Sequence, residues 1–200
     1  NCLVQLNAPE TPGFDGSCQA VVDCLMEAGF EEQTAPRNVL AVDRDYWLVD
    51  DDGSTIQACP ADAPGMTLTY ELDYGPLSPI PQQTYSVDLT PESFASEIAF
   101  ARTFILESEV EALKAQGLGK RTTAKDLLVF SEDGIIDNSI RAAEECARHK
   151  ILDCIGDFAL IGCDLQGSFS ACRTGHRMNH ELMKAVRAAQ LDSQSEAEAA

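Results

Sequence analysis

The chain has 200 residues, 44% hydrophobic and 24% charged, a balance that supports one large or two small packed cores and excludes disorder as its general state. Its formal net charge of −19 excludes general binding to nucleic acid or to an anionic membrane, because phosphate would be repelled over most of the surface. The charge is uneven: of the fourteen basic residues only Arg37 and Arg44 lie in the first hundred positions, so an anionic ligand has to be met by the second hundred, which also holds all three histidines.

The opening NCLVQLN has no methionine and alternates apolar and polar residues from Cys2 to Leu6, as a half-buried strand does. PETPGFDG reads as a loop. Ser17 then caps a predicted helix in which Cys18, Val21, Val22, Leu25 and Met26 keep the helical period until Gly29 stops it. One strand and one helix cannot cover both of their apolar faces, so the expectation is that they close a domain begun earlier in a longer polypeptide. The polar EEQTAP leads into a β-rich stretch, 37–89. It contains RNVLAV, then YWLVD and STIQAC around an Asp52-Gly53 turn, then MTLTYEL and QTYSVDL separated by GPLSPIPQ.

Thr90 and Pro91 open a short helix through Ile98, with proline where its missing N–H costs little. ARTFIL reads as a strand, ESEVEALKAQG as a helix ending at Gly117 and DLLVF as a strand, so that 101–130 makes a β-α-β element. A long helix is predicted over 142–162, a strand over 166–172 and a closing helix over 175–190. The polar LDSQSEAEAA, 191–200, is expected to be a disordered tail. The eight cysteines, at 2, 18, 24, 59, 146, 154, 163 and 172, form no CxxC pair, and several sit in apolar runs. They read as free thiols of a reducing, cytoplasmic compartment. The sequence offers neither a secretory signal nor an apolar run long enough to cross a bilayer.

Three motifs fail on chemistry. GLGKRT at 117–122 lacks the serine or threonine that must follow a phosphate-loop lysine. DDDG at 50–53 would place Leu48 and Cys59 at the first and last positions of a calcium loop, where neither supplies an oxygen. No GxSxG elbow is present. RHKILDCIGD, 148–157, is different, because it sets His149, Asp153 and Asp157 at i, i+4 and i+8 of the long helix. His149 and Asp153 then project from one face and can reach a single cation, which needs a third protein ligand from elsewhere. By spacing alone a polar contact is the commoner meaning of such a pair. Asp157, a turn further on, can hold a second imidazole and favour its charged form, and His176 in RTGHRMN is the natural partner. His180 reads as a surface residue, and Cys154 and Cys163 as core.

RHKILDCIGD, GSFSACRTGHRMNHEL, ARTFILESEVEALKAQGLGK and APETPGFDGS, in register from about residue 1 to 190, together resemble the UDP-3-O-acyl-N-acetylglucosamine deacetylases, zinc amidases of lipid A biosynthesis. The resemblance implies an α+β fold of two similar two-layer α/β sandwich domains with the site between them. Residues 1–34 would be the end of the first domain. Residues 36–190 would be the second, with the β-α-β insert at about 101–130 walling the acyl chain.

By the same resemblance His149 and Asp153 correspond to two of three metal ligands for Zn2+, and Fe2+ also suits such donors. Asp157 and His176 match the catalytic carboxylate–histidine pair, Lys150 the lysine facing the diphosphate, and Thr103 and Phe104 the contacts to sugar and acyl chain. The implied substrate is a UDP-acylated amino sugar, the product acetate and a free amine, and the enzyme a cytoplasmic monomer. The family's third ligand and its general-base glutamate form a Glu-His pair expected upstream of Asn1. Lys120 and Arg121 stand where the family tends to have glycines, and AAEECARHK departs from the usual lead-in to the ligand helix. Two alternatives stay open: a half-length, non-catalytic homologue that binds an acylated sugar nucleotide or a protein partner, and a cysteine-rich α/β interaction domain without metal.

Overall fold

A computed structural model of the chain describes residues 2–198 apart from 10, 118, 120 and 121, with side chains described through residue 190. Lys120 and Arg121 therefore lie outside the described residues. Helix α1 (Gln19–Ala28) is followed by strands β1 (Val39–Ala41), β2 (Tyr46–Val49), β3 (Thr55–Cys59), β4 (Met66–Leu72) and β5 (Gln83–Leu89). After these come the single turn α2 (Pro91–Ser93) and a wider turn over Phe94–Ile98, then β6 (Phe104–Leu106), α3 (Glu107–Ala115), β7 (Leu128–Ser131) and β8 (Gly134–Ile135). Helix α4 (Glu145–Ala159), strand β9 (Asp164–Cys172) and helix α5 (His176–Glu198) close the order.

The main sheet runs β2-β3-β9-β4-β5, with β1 paired to the start of β9. The last strand is central: β9 is antiparallel to β3 and parallel to β1 and β4. Its register explains why the sheet has one wet and one dry face. Phe169 stands opposite Ala58 and Leu68, and Ala171 opposite Ile56 and Tyr70, and all six are buried. The intervening Gln57, Ser168, Ser170, Thr67 and Thr69 take the other face, as a period of two requires. Helices α4 and α5 cover the dry face, α4 over β4 and β5 and α5 over β2 and β3. This is the two-layer α+β arrangement read from the sequence. From α4, Cys146, Ala147, Ile151, Cys154 and Phe158 enter the core, and the Phe158 ring lies 5.2 Å from that of Phe169. Strands β6 and β7 pair in parallel across α3, and β8 extends them as a short hairpin, so the β-α-β element forms its own small sheet.

Three expectations are corrected. Cys2–Leu6 forms no strand, because alternation chooses faces but a strand also needs a neighbour to hydrogen-bond. Ser17 stands one residue too early to be the N-cap of α1: Cys18 flanks the first turn, while the Ser17 hydroxyl donates to Asp15 at 2.7 Å and only weakly accepts the Gln19 N–H at 3.4 Å. From Leu191 to Glu198, where a disordered tail was expected, the backbone continues α5, in line with the helix preference of Ala, Glu and Gln. Residues 199 and 200 of that tail lie outside the described residues. Gly29 ends α1 as expected, with φ 77°. No side chain of α1 is buried, and Leu25, Met26 and Phe30 are open. Among the described residues no helix is long and apolar enough to cross a membrane.

Candidate metal and catalytic centre

Helix α4 carries the candidate centre, because its two faces do different work. One faces the sheet with Ile151, Cys154 and Phe158, and the i, i+4, i+8 stripe of His149, Asp153 and Asp157 runs beside it. His149 is buried among Ala101, Thr103 and Phe104 at the start of β6. Its Nδ1 is 3.1 Å from the Ala101 carbonyl, an acceptor only, so Nδ1 carries the proton and Nε2 the lone pair. Burial pushes the imidazole below its usual range, so the neutral form is favoured. Nε2 lies 3.6 Å from Asp153 Oδ1 and 3.1 Å from the Thr103 hydroxyl.

That is the chemistry a divalent cation requires of two ligands: a neutral imidazole with its tautomer fixed from behind, and a carboxylate on the same side. Among the described residues no further His, Cys, Asp or Glu completes a group of three. Cys154, next in sequence to Asp153, is buried, and burial pushes its thiol up to about 12, so it does not supply a thiolate.

Lys150 reaches Asp153 Oδ2 at 2.7 Å and lines a cleft of about 490 Å3 with Asp73, Tyr74, Arg173 and Gly175. Arg173 holds φ 56°, in the left-handed region, at the end of β9, and its guanidinium donates to the Asp52 carbonyl at 2.5 Å. Sequence reading did not single out Arg173. The cleft sits beside the loop that starts α5, which Tyr70 anchors by donating its hydroxyl to the Thr174 carbonyl at 2.7 Å.

His176 opens α5 and meets Asp157 as expected, with Nδ1 at 2.8 Å from Oδ2 and 3.1 Å from Oδ1. Its side chain is otherwise largely exposed, at 67%. The carboxylate is shared more widely than expected. Asn179 Nδ2 donates to it at 2.8 Å, and His180, read from sequence as a surface residue, places Nε2 at 3.1 Å from Oδ1. The signal was available in the i, i+4 spacing of HRMNH, which sets both imidazoles on one face of α5.

Thr103 and Phe104 sit on either side of one partition. Thr103 donates its N–H to the Gly16 carbonyl at 2.8 Å and lines a cavity of about 590 Å3 in the small sheet with Ile105, Val110, Leu127, Val129 and Ile136. At Gly16 a side chain would be strained, because its φ of 79° is left-handed and a Cβ would lie 3.0 Å from the Asp126 carbonyl oxygen. Phe104 is buried instead between Tyr74 and His149, with edge-to-face ring separations of 6.0 and 6.2 Å.

A family model described as UDP-3-O-acyl N-acetylglycosamine deacetylase matches residues 1–188. The UDP-3-O-acyl-N-acetylglucosamine deacetylase of Anaeromyxobacter sp. (strain Fw109-5) is 36% identical over 189 residues, 94% of this chain and 61% of the relative. That of Neisseria meningitidis serogroup C (strain 053442) is 34% identical over the same shares. That of Nitratidesulfovibrio vulgaris is 36% identical over 185 residues, 92% of this chain and 58% of the relative. The chain thus spans about three-fifths of the length of these curated relatives. It belongs to the UDP-3-O-acyl N-acetylglycosamine deacetylase family.

Proposed function

We propose that this chain carries part of the active site of a metal-dependent amidase that removes acetate from UDP-3-O-acyl-N-acetylglucosamine in lipid A biosynthesis. One observation carries the reading: His149 is held neutral, with Nδ1 spent on the Ala101 carbonyl and Nε2 turned toward Asp153. His149 and Asp153 would hold Zn2+, or Fe2+, with a third ligand and the general base supplied by polypeptide outside these residues. Residues 36–190 are read as the second α/β domain and 1–34 as the end of a similar first one. Eight free thiols fit a reducing, cytoplasmic setting, and we take the protein to be a monomer.

A bound divalent ion supplies Lewis-acid polarisation of the acetamide carbonyl and a lowered pKa for the attacking water. The other tasks fall to side chains. Asp157 accepts from His176 Nδ1 and fixes the ring, leaving Nε2 to stabilise the developing oxyanion and hand a proton to the departing amine. Lys150, beside Arg173, faces the diphosphate as a point charge. The Thr103 hydroxyl lies where the apolar cavity of the small sheet approaches His149. We assign that cavity to the acyl chain, with Thr103 at its sugar end and Phe104 shaping the wall.

The test is zinc content and deacetylation of UDP-3-O-acyl-N-acetylglucosamine by the complete protein. His149→Ala is expected to lose both. His176→Ala is expected to keep zinc while losing about 10²- to 10⁴-fold in rate. Zinc retained together with full activity in His149→Ala would sink the assignment, and a parent protein without zinc or activity would favour the non-catalytic homologue.

A further inference from the structure

The structure offers a device behind His149 that the family reading does not contain. Glu145 and His149 are one turn apart on α4, and both grip the same peptide unit. The carbonyl of the Ala101–Arg102 peptide accepts from His149 Nδ1 at 3.1 Å, while its N–H donates to Glu145 Oε1 at 3.2 Å. A peptide unit is planar. Holding its N–H therefore sets the direction in which its carbonyl points, and with it the tilt and tautomer of the imidazole.

Glu145 is itself fully determined. It is 0% exposed, and Arg102, at 4%, meets it through Nε at 2.7 Å and Nη2 at 3.1 Å. The Arg141 N–H donates to Oε2 at 2.5 Å. The Arg102 guanidinium also donates to the Asn138 Oδ1 at 2.8 Å and the Ser139 carbonyl at 2.6 Å. A buried ion pair of this kind is weak evidence for stability, since apolar residues of like volume often do as well. What an apolar pair cannot do is hold an N–H.

We infer that Glu145 is a positioning residue for the metal ligand His149, acting through the Ala101–Arg102 peptide and kept in place by Arg102. The inference rests on the metal-site reading above.

The test measures, in the complete protein, Zn2+ affinity by chelator competition, thermal midpoint, and the His149 tautomer in the metal-free state from its ring nitrogen resonances. Replacing the pair together, Arg102→Met with Glu145→Leu, leaves no stranded charge but removes the acceptor for the peptide N–H. The expected result is a zinc affinity lower by about 10- to 100-fold, the range known for ligand-orienting partners, and the appearance of a second tautomer.

Glu145→Gln has the same shape and covers the case in which the double variant does not fold. It weakens the bond to the peptide by removing the charge, and it is expected to lose affinity by several-fold and to populate the second tautomer. Asn138→Ala trims Arg102 without touching the peptide, so it is expected to lower the midpoint and leave zinc affinity unchanged.

Affinity within twofold of the parent and a single tautomer in Glu145→Gln, or affinity that merely tracks the midpoint across all variants, would overturn the inference while leaving the metal site standing. If the parent itself binds zinc no better than His149→Ala, the underlying reading fails instead.

Discussion

Helices α1 and α4 both carry apolar residues at helical spacing, yet α4 buries eight of its residues and α1 none. The difference is the neighbour. Helix α4 lies on a sheet whose dry face was prepared by the alternation of β3, β4 and β9, whereas α1 is tethered through the residues just before it, where the Cys18 N–H donates to the Ala99 carbonyl and Asp15 pairs with Arg141. Periodicity announces which side of a helix will be dry once something covers it. It does not announce the cover.

Several measurements can break or sharpen this contrast. Phe158→Ala should cost about 3 to 5 kcal/mol in urea unfolding, because Phe158 is buried against Phe169. A loss below about 1 kcal/mol would mean that α4 is not the anchor of the core. Tyr70→Phe should cost about 1 to 2 kcal/mol by leaving the buried Thr174 carbonyl unpaired, and should loosen the loop before His176. A smaller effect tests acidity. Because the folded state lowers the affinity of His149 for protons, the unfolded chain binds more of them as pH falls below its ordinary value near 6.5. The resulting stability is fully present above that pH and drains away on acidification toward the depressed folded value. Metal-free protein scanned from pH 7 to 5 should therefore lose thermal midpoint more steeply than His149→Gln. A parallel slope in the two would contradict the burial argument. Least affected should be Leu25→Ala and Met26→Ala, each within about 0.5 kcal/mol for the 200-residue chain.

Much of this architecture was legible because the signals were local. The Asp52-Gly53 turn, the period-two strands and the Gly29 stop each declare themselves within a few residues. The long helix was expected over 142–162 and spans Glu145–Ala159, while β8, two residues long, is too short for any pattern. Cys2–Leu6 misled because alternation was taken for pairing. At the centre, the stripe of His149, Asp153 and Asp157 follows from helical geometry, and the approach of His176 to Asp157 from chemistry. His180 was read as a surface residue although its i, i+4 spacing from His176 placed it on the face that meets Asp157. The Ala101 carbonyl and the grip of Glu145 were out of reach, because a backbone group carries no side-chain signature and its partner lies 48 residues away along the chain.

The interior sulfur atoms of α4 have a practical use. Cys146 and Cys154 are shielded and their thiols are pushed up to about 12, whereas Cys2 and Cys24 stand in solvent. An alkylating reagent at neutral pH should therefore label the two outer cysteines at once and reach the inner two only when α4 lifts from the sheet. With the half-buried Cys18, Cys59, Cys163 and Cys172 replaced by serine, the delay between those labelling phases is a clock for the opening of the helix, read from mass alone.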